Sequence, residues 1–217
     1  MHMLPALSEA PASAAGPKRK LRQRLQTRAR LVAAGRRVIA AQGVDGAAIS
    51  AITDAADVGV GSFYNYFTSK RELLNVIVAE TTALLGEVLH RRTYALADPA
   101  ERVAVAVRHI VHLATADPTW AWFVLRATDA VPRLSASVTA PIEPHIHAGI
   151  AGGRFTVDDP VLAVNAIGGM MLQVMRARLL DRVGPGADRI AAEHVLRMLG
   201  LSPAKAHALV SAEAEVV

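Results

Sequence analysis

The chain has 217 residues, of which 52% are hydrophobic and 20% are charged, so it can form a core and is not disordered as a whole. It contains no cysteine, which excludes disulfides, thiolate metal sites and cysteine nucleophiles and favours a reducing cytoplasm. The net charge of +5 comes from the first third of the chain. Residues 1–75 hold eleven of the 24 Lys and Arg residues but only five of the 19 Asp and Glu residues. This asymmetry predicts a polyanionic partner for residues 1–75.

Residues 1–24 are expected to form a disordered, basic N-terminal extension. Residues 1–17 mix Ala, Pro and Ser without periodicity. The basic segment that follows, residues 18–30, has seven cationic side chains and no acid: Lys18, Arg19, Lys20, Arg22, Arg24, Arg28 and Arg30. Two interpretations stay open here, the solvated start of a helix and an arm that binds nucleic acid. The charges follow the weakly apolar stretch rather than precede it, and no run of about 18 apolar residues occurs, so a cytoplasmic protein without a membrane segment is expected.

Residues 25–75 contain four helix signals in close succession. A first helix is predicted over residues 27–42, ending at Gly43, and a second over residues 49–56. A tight turn at residues 57–59 precedes a short third helix over residues 60–66. A fourth begins at Ser69, because Ser69 and Glu72 have the spacing of a capping box. Helix, turn and short helix downstream of a basic segment indicate a helix-turn-helix that binds DNA.

The third predicted helix has the composition that an approach to DNA requires. Gly59, Gly61 and Ser62 are small, so the backbone can come close to a phosphate and the helix can lie in the major groove.

The aromatic residues of this region divide between two environments. Phe63 and Phe67 lie four residues apart and are expected to face the core. The hydroxyls of Tyr64 and Tyr66 are then free to reach phosphates, and Lys70 adds a positive charge near the DNA backbone.

Residues 59–74, GVGSFYNYFTSKRELL, resemble the signature of the TetR family of transcriptional regulators, in which a turn is followed by Y-x-Y-F, a small polar pair, a lysine and a leucine pair. The resemblance covers about residues 27–77, and the remainder is similar only in helical layout. It implies an all-α fold with a three-helix DNA-binding head and, over residues 76–217, a helical body for ligand binding and dimerisation. The chain departs from the family pattern at Asp57, where the turn usually has glycine, at Ala48, where a threonine usually caps the second helix, and at Ile39, where an aromatic is usual. Aspartate tolerates a left-handed conformation better than most residues, so the turn is expected to survive at Asp57.

We hypothesise two sets of DNA-contacting residues. The third helix carries no charge between residues 60 and 66, so direct base reading is expected to be sparse, with DNA shape and the basic segment supplying the rest. The residues expected nearest the bases are Ser50, Val60, Gly61, Ser62, Tyr64 and Asn65. Contacts with the DNA backbone are expected from Tyr66, Lys70, Arg22, Arg24 and Arg28.

One kind of helix start recurs in the body. Asp98, Asp117 and Asp159 each precede a proline, which predicts an N-cap followed by proline at the first helical position, and Ser202-Pro203 repeats the pattern. A helix over residues 133–151 is expected to be broken by Pro141 and Pro144. With helices over residues 161–181 and 187–199, the count is nine or ten helices and no strand.

The helix over residues 161–181 is apolar nearly all round, which predicts burial on more than one side. The TetR resemblance implies that this helix and residues 187–199 pair with their copies in a four-helix homodimer interface. The pair Gly168-Gly169 would permit close helix approach. A plain core helix is the alternative.

The bulky apolar side chains of the body suit a site for a small apolar effector, although ordinary core explains any single one equally well. These candidates are Trp120, Trp122, Phe123, Met170, Met171 and Met175. His109 and His112 could point into such a pocket, and Arg126 could meet an anionic group. No metal is expected, because no carboxylate or third ligand accompanies the histidine pair.

No motif of enzyme chemistry occurs, so neither catalysis nor a cofactor is expected. The first hypothesis is a homodimeric transcriptional repressor that binds a near-palindromic operator with half-sites about 34 Å apart and is released by a small apolar effector. The alternative is an architectural or nonspecific DNA-binding protein without an effector. The absence of excess positive charge outside residues 1–75 argues against that alternative.

Overall fold

The computed structural model describes the backbone of residues 15–128 and 138–212 and the side chains of residues 18–128 and 138–211. These residues form ten α-helices and no strand, as the predicted all-α class requires. The head contains α1 (Ala15–Gly46), α2 (Ile49–Ala55), α3 (Val60–Phe63) and the start of α4 (Lys70–Thr93). The body contains α5 (Pro99–Ala116), α6 (Pro118–Ala127), α7 (Glu143–Ala151), α8 (Pro160–Leu179), α9 (Ala187–Met198) and α10 (Pro203–Ala212). Residues 1–14 of the predicted extension and residues 133–137 of the predicted broken helix lie outside the described residues.

Helix α1 begins twelve residues before the predicted start. The expectation of disorder is therefore wrong for residues 15–24, which are helical. Lys, Arg, Leu and Gln are all good helix formers, so this segment continues the helix without an apolar stripe. At its other end α1 is interrupted by Gly43, whose φ of 78° lies in the left-handed region.

The head is built around the fully buried side chains of its four helices. Its largest buried residues are Leu31, Ile39, Ile52, Phe63, Phe67 and Leu73. Helices α1 and α4 approach closely at Gly35, where a Cβ atom would lie 2.9 Å from Cδ2 of Leu73. The underside of the DNA-binding module is therefore a packed core.

Helix α5 is the central element of the body and packs against α4, α6, α7, α8, α9 and α10. All three predicted aspartate caps are confirmed. Asp98 Oδ1 accepts from the Ala100 amide at 2.8 Å, Asp117 Oδ1 from the Trp120 amide at 2.9 Å, and Asp159 Oδ1 from the amides of Val161 and Leu162.

An ion pair ties the start of α5 to the loop after α7. Arg154 donates from Nε to Oδ1 of Asp98 at 2.9 Å and from Nη2 to Oδ2 at 2.7 Å, which is a bidentate geometry. The Arg154 hydrogen bonds hold the pKa of Asp98 below its ordinary value, against the smaller effect of burial.

Helix α8 is covered on one side only. It turns Val164, Ile167, Met171 and Met175 into the core, while Val161 and Leu162 are 69% and 66% exposed. Both α4 and α8 are long and apolar enough to cross a membrane by length and composition, with mean hydropathies of 1.3 and 1.2, a test that core helices also pass. The predicted burial of α8 on several sides is thus not met within one chain.

Candidate nucleic-acid interface and junction cavity

The recognition element is shorter than predicted. Helix α3 ends at Phe63, three residues before the expected end, and the chain continues as a turn through Tyr66. The amides of Tyr66 and Phe67 both donate to the Phe63 carbonyl, at 2.9 and 3.0 Å. The Phe67 amide thus closes one further helical turn on Phe63, which keeps Phe67 on the same buried side as Phe63.

The two faces of this element differ as predicted. Phe63 and Phe67 are 0% and 1% exposed, and their ring centroids lie 5.7 Å apart. On the opposite side Val60 and Tyr64 are 46% and 57% exposed.

The other residues predicted to lie near the bases also reach the surface. Ser50, Gly61 and Asn65 are exposed and Ser62 is half-buried. A Cβ atom added at Gly59 or Gly61 would meet nothing within 4 Å, so no packing inside the chain requires glycine there. The open space in front of these glycines is where a DNA backbone could approach.

Tyr66 differs from Tyr64. Its side chain is half-buried and packs against the hydrophobic core, whereas Tyr64 stands on the surface. The prediction that both tyrosines face away from the core is therefore wrong for the Tyr66 ring.

The turn between α2 and α3 has the left-handed backbone that the sequence predicted. Asp57 has a φ of 52°. Arg30 of α1 donates from Nη2 to the Asp57 carbonyl at 3.2 Å and to its Oδ2 at 3.0 Å, and Arg37 donates to the Ala55 carbonyl at 3.1 Å. The sequence did not predict that Arg30 holds this turn, because Arg30 stands in a run of basic residues that pointed to DNA.

Two helix starts in the head differ in their caps. Ala48, at the N-cap of α2, makes no side-chain cap bond, as its methyl group dictates. Ser69 caps α4 by accepting from the Glu72 amide at 3.2 Å. The Glu72 carboxylate accepts from the amide and hydroxyl of Thr68 instead of from the Ser69 amide, and these bonds lower the pKa of Glu72.

Lys70 is used inside the chain. Its Nζ donates to the carbonyl of Val44 at 2.8 Å and to that of Asp45 at 3.4 Å. The side chain fastens the first residue of α4 to the end of α1. Its predicted contact with the DNA backbone stays a prediction, since the ammonium group keeps its charge in these hydrogen bonds.

The basic segment is helical, and its cations are not equivalent. Arg22 and Arg24 are exposed, as are Lys18, Arg19 and Lys20. Arg28 is half-buried, pairs with Glu80 at 3.3 Å and lies with its guanidinium carbon 5.4 Å from the centre of the Phe67 ring. Arg22 and Arg24 are thus available to phosphates, whereas Arg28 also stabilises the head.

A cavity of about 490 Å³, here named the junction cavity, lies between the head and the body. One wall is the end of α1, residues 42–46, around the interruption at Gly43. The other consists of Trp122, Leu125 and Arg126 of α6 with Arg176 of α8. The Arg126 guanidinium carbon lies 5.1 Å from the centre of the Trp122 ring, and Nη1 donates to the Ala41 carbonyl of α1.

Only two of the nine predicted ligand-binding residues, Trp122 and Arg126, line this cavity. The other seven line neither it nor two further cavities of about 410 and 210 Å³. Trp120, Phe123, Met171 and Met175 are at most 5% exposed and belong to the buried core, so their contact with a ligand stays a prediction.

The remaining candidates also lie outside the three cavities described for these parts of the chain. Met170 packs half-buried against that core, and His112 is exposed. His109 is half-buried, and desolvation, helped by Arg92 and His112, lowers its pKa to about 4. Within residues 15–128 and 138–212, no group of three or more His, Cys, Asp or Glu residues could hold a metal ion.

Comparisons with known proteins cover both halves of the chain. Residues 31–77 match the family model described as bacterial regulatory proteins, tetR family, and residues 98–212 match the model of the tetracyclin repressor-like C-terminal domain. A search of curated proteins finds no match.

Solved structures resemble the whole chain. The crystal structure of RolR in complex with resorcinol is similar with a TM-score of 0.69 and 32% identity, over 88% of this chain and 95% of that one. FadR from Bacillus subtilis in complex with stearoyl-CoA is similar with a TM-score of 0.65 and 20% identity, over 79% and 97% of the two chains. AibR in complex with isovaleryl coenzyme A and operator DNA has a TM-score of 0.60 and 20% identity, over 80% and 98%. The latter two share the fold.

Proposed function

Because this chain belongs to the TetR family of bacterial transcriptional regulators, we propose that it is a cytoplasmic, homodimeric repressor that binds a near-palindromic operator and is released by a small-molecule effector. DNA binding and control of transcription are the general activities of the family. Repression, the homodimer and the effector response are the finer part of the proposal. The function is binding without catalysis or cofactor.

The proposal rests on the division of residues 60–67 into a buried face and an exposed face. Phe63 and Phe67 anchor this segment to the core of the head. The exposed residues are Val60, Gly61, Tyr64 and Asn65. A short helix fixed from below, with small residues on its outer side, fits the major groove of duplex DNA.

The exposed arginines of the basic segment support the same interface. Arg22 and Arg24 lie on the same helix as Arg30 and Arg37, which hold the turn and the end of α2. We infer that these exposed cations bind phosphates and that Tyr64 adds a hydroxyl donor, so that the segment supplies affinity and α3 supplies discrimination.

A second copy of the chain is the proposed cover for the open face of α8 and α9. Val161 and Leu162 of α8 and Ile190 of α9 are 58–69% exposed, which is costly for apolar side chains in water. Gly168 packs within the chain, since a Cβ atom there would lie 2.9 Å from Cγ2 of Thr139. A Cβ atom at Gly169 would meet nothing within 4 Å. Gly169 therefore leaves room for a partner helix to approach.

A small-molecule effector is proposed from the relatives that hold one. RolR was crystallised with resorcinol, and FadR and AibR with acyl-CoA molecules. In this chain Trp120, Phe123, Met171 and Met175 are buried, so an apolar molecule bound beside them would be enclosed by core side chains.

The proposal is tested by selecting bound genomic fragments, footprinting the protected sequence and measuring gel shifts against competitor DNA. We expect a protected near-palindrome and retention of that complex in excess nonspecific DNA. Asn65→Ala and Ser62→Ala should reduce the preference for the operator by about 1–3 kcal/mol per lost base contact. Asn75→Ala, at an exposed position of α4, is the matched control and should change nothing. Equal binding to all sequences would favour the architectural alternative.

A further inference from the structure

The junction cavity is explained neither by the helix-turn-helix nor by the apolar interior of the body. We propose that it binds a small anionic aromatic molecule, held against the ring of Trp122 and the Arg126 guanidinium beside it, with Arg126 and Arg176 as partners for its charge. This inference rests on the proposed effector response and names the chemical class of the effector and its place.

The size and the walls of the cavity suit such a molecule. Its volume of about 490 Å³ lies within the range of small-molecule sites. Trp122 is half-buried and Leu125 is 3% exposed, so one wall offers apolar surface that is already largely desolvated. The Arg126 guanidinium beside the Trp122 ring extends that surface with a flat cation on which an aromatic ring can stack.

The charge around the cavity favours an anion. Two arginines line it against one carboxylate, that of Asp45. The carbonyls of Val44 and Asp45 accept from Lys70, so their negative ends are partly neutralised. A carboxylate or phenolate on the ligand would take charge-assisted hydrogen bonds from Arg126, which has donors beyond the one used by Ala41, and from the exposed Arg176.

The junction cavity also lies next to the elements that position the helices of the head. The end of α1, residues 42–46, leads into α2, and Lys70 ties it to the start of α4. Arg126 reaches across to α1 through the Ala41 carbonyl. A molecule bound here contacts the head and the body at once, unlike one enclosed in the body interior.

The first experiment compares two probes by isothermal titration calorimetry of the full chain. The probes are 2-naphthoate and its neutral analogue 2-naphthamide. We expect saturable binding of 2-naphthoate and affinity at least about tenfold weaker for the amide, because the amide lacks the charge that the arginines bind. Arg176→Gln should weaken 2-naphthoate binding about tenfold, whereas Arg182→Gln, an exposed control that does not line the cavity, should leave it unchanged. Equal affinity for the two probes, or equal effects of the two variants, would overturn the proposal.

The second experiment locates the bound probe. The chain has two tryptophans, so 2-naphthoate should alter the fluorescence of Trp122→Phe far less than that of Trp120→Phe. Trp120 is buried, so the folded state of its variant is checked by circular dichroism. Hydrogen exchange of wild-type protein gives an independent location, since bound probe should slow exchange of the Ala47 amide, which donates to Gly43. Fluorescence change that persists in Trp122→Phe together with unaltered exchange at Ala47 would place the probe elsewhere and refute the assignment.

Operator binding by the same preparations without probe separates the two proposals. If the protein binds its operator specifically but does not bind 2-naphthoate, the proposed junction site is wrong and the repressor function stands. Binding of 2-naphthoate without any sequence preference on DNA contradicts the proposed repressor function and leaves the site in place.

Discussion

Arg30 and Asp57 form a hydrogen-bonded ion pair across the α2–α3 turn, with the Arg30 Nη2 atom 3.0 Å from Oδ2 and 3.2 Å from the carbonyl of the same aspartate. Asp57 stands where glycine is usual and adopts a φ of 52°. The side chains are 43% and 98% exposed, so the pair adds little to stability. Its main effect is to place a carboxylate, and a neutralised arginine, three residues before the recognition helix.

Removing that carboxylate should strengthen DNA binding. Asp57→Asn keeps a residue that tolerates the left-handed turn, removes a negative charge from the DNA-facing side and releases Arg30 to a phosphate. We expect the slope of log affinity against log salt to steepen by about two for the homodimer, which is about one per chain. Asp54→Asn, an exposed carboxylate on α2, is the control for charge alone. An identical slope change in both variants would show that Arg30 is not involved.

The basic segment should govern the salt dependence of binding. Replacing both Arg22 and Arg24 by Gln should weaken binding to operator and to nonspecific DNA alike. For the homodimer the salt slope should fall by about four, because each chain makes two phosphate contacts fewer. The measurement is fluorescence anisotropy over a salt series. Arg28→Gln should instead lower thermal stability, since Arg28 pairs with Glu80 and lies over Phe67. A salt slope unaffected by the double substitution would remove the segment from the interface.

Gly149 should not tolerate a methyl group. A Cβ atom there would lie 2.2 Å from the ring of Phe155, which is 3% exposed. We expect Gly149→Ala to lower the free energy of unfolding by about 1–3 kcal/mol, through overpacking that outweighs the better helix propensity of alanine. Gly86→Ala in α4, where nothing lies within 4 Å, should raise it by up to about 1 kcal/mol. Urea unfolding measures both, and a stabilising Gly149→Ala would contradict the close contact.

The Asp98–Arg154 pair should make stability depend on pH in acid. Its hydrogen bonds hold the pKa of Asp98 below the usual value in the folded chain, so its stabilisation is complete above the unfolded-state pKa, about 4, and is lost as the pH falls through the lower folded-state pKa. Asp98→Asn keeps a good N-cap and removes the charge. We expect it to destabilise the chain by about 1 kcal/mol or less at pH 7, with the difference from wild type shrinking in acid. A difference that does not vary with pH would show that the cap alone matters.

The open faces of α8 and α9 should form the homodimer interface. Leu162→Glu and Ile190→Glu place charges on side chains that are 66% and 58% exposed in one chain, so they should leave the fold intact and shift the protein to monomer in sedimentation experiments. Leu84→Glu, on α4 with 57% exposure, is the matched control and should stay dimeric. Dimers that persist in both interface variants would place the contact elsewhere.

Local signals in the sequence predicted much of the fold. The aspartate–proline starts were right because the cap and the proline act on the residues next to them. The inward orientation of Phe63 and Phe67 followed from their spacing of four residues. The left-handed turn at Asp57 followed from the tolerance of aspartate for that conformation.

Interactions between distant residues set the limits of prediction. Lys70 and Arg30 were interpreted as cations for DNA because their acceptors, at Val44 and Asp57, lie 26 and 27 residues away in the chain. The role of most aromatic and methionine candidates stays a prediction, because apolar side chains look alike in a sequence whether they line a cavity or fill a core. The start of α1 was missed because a solvated helix leaves no hydrophobic period to detect.

The length of helix α1 converts a small change of its angle into a large displacement of its N-terminal end. From Ala15 to the interruption at Gly43 it is a single rod of about 40 Å, with exposed cations near its free end and the junction cavity beside its fixed end. A tilt of about 5° at Gly43 would swing the far end by roughly 3–4 Å, comparable to the rise of one base pair of DNA. A small rearrangement between Trp122 and residues 42–46 would therefore move the exposed cations at the other end of α1 by several ångströms. A shift of that size would change their contacts with DNA phosphates.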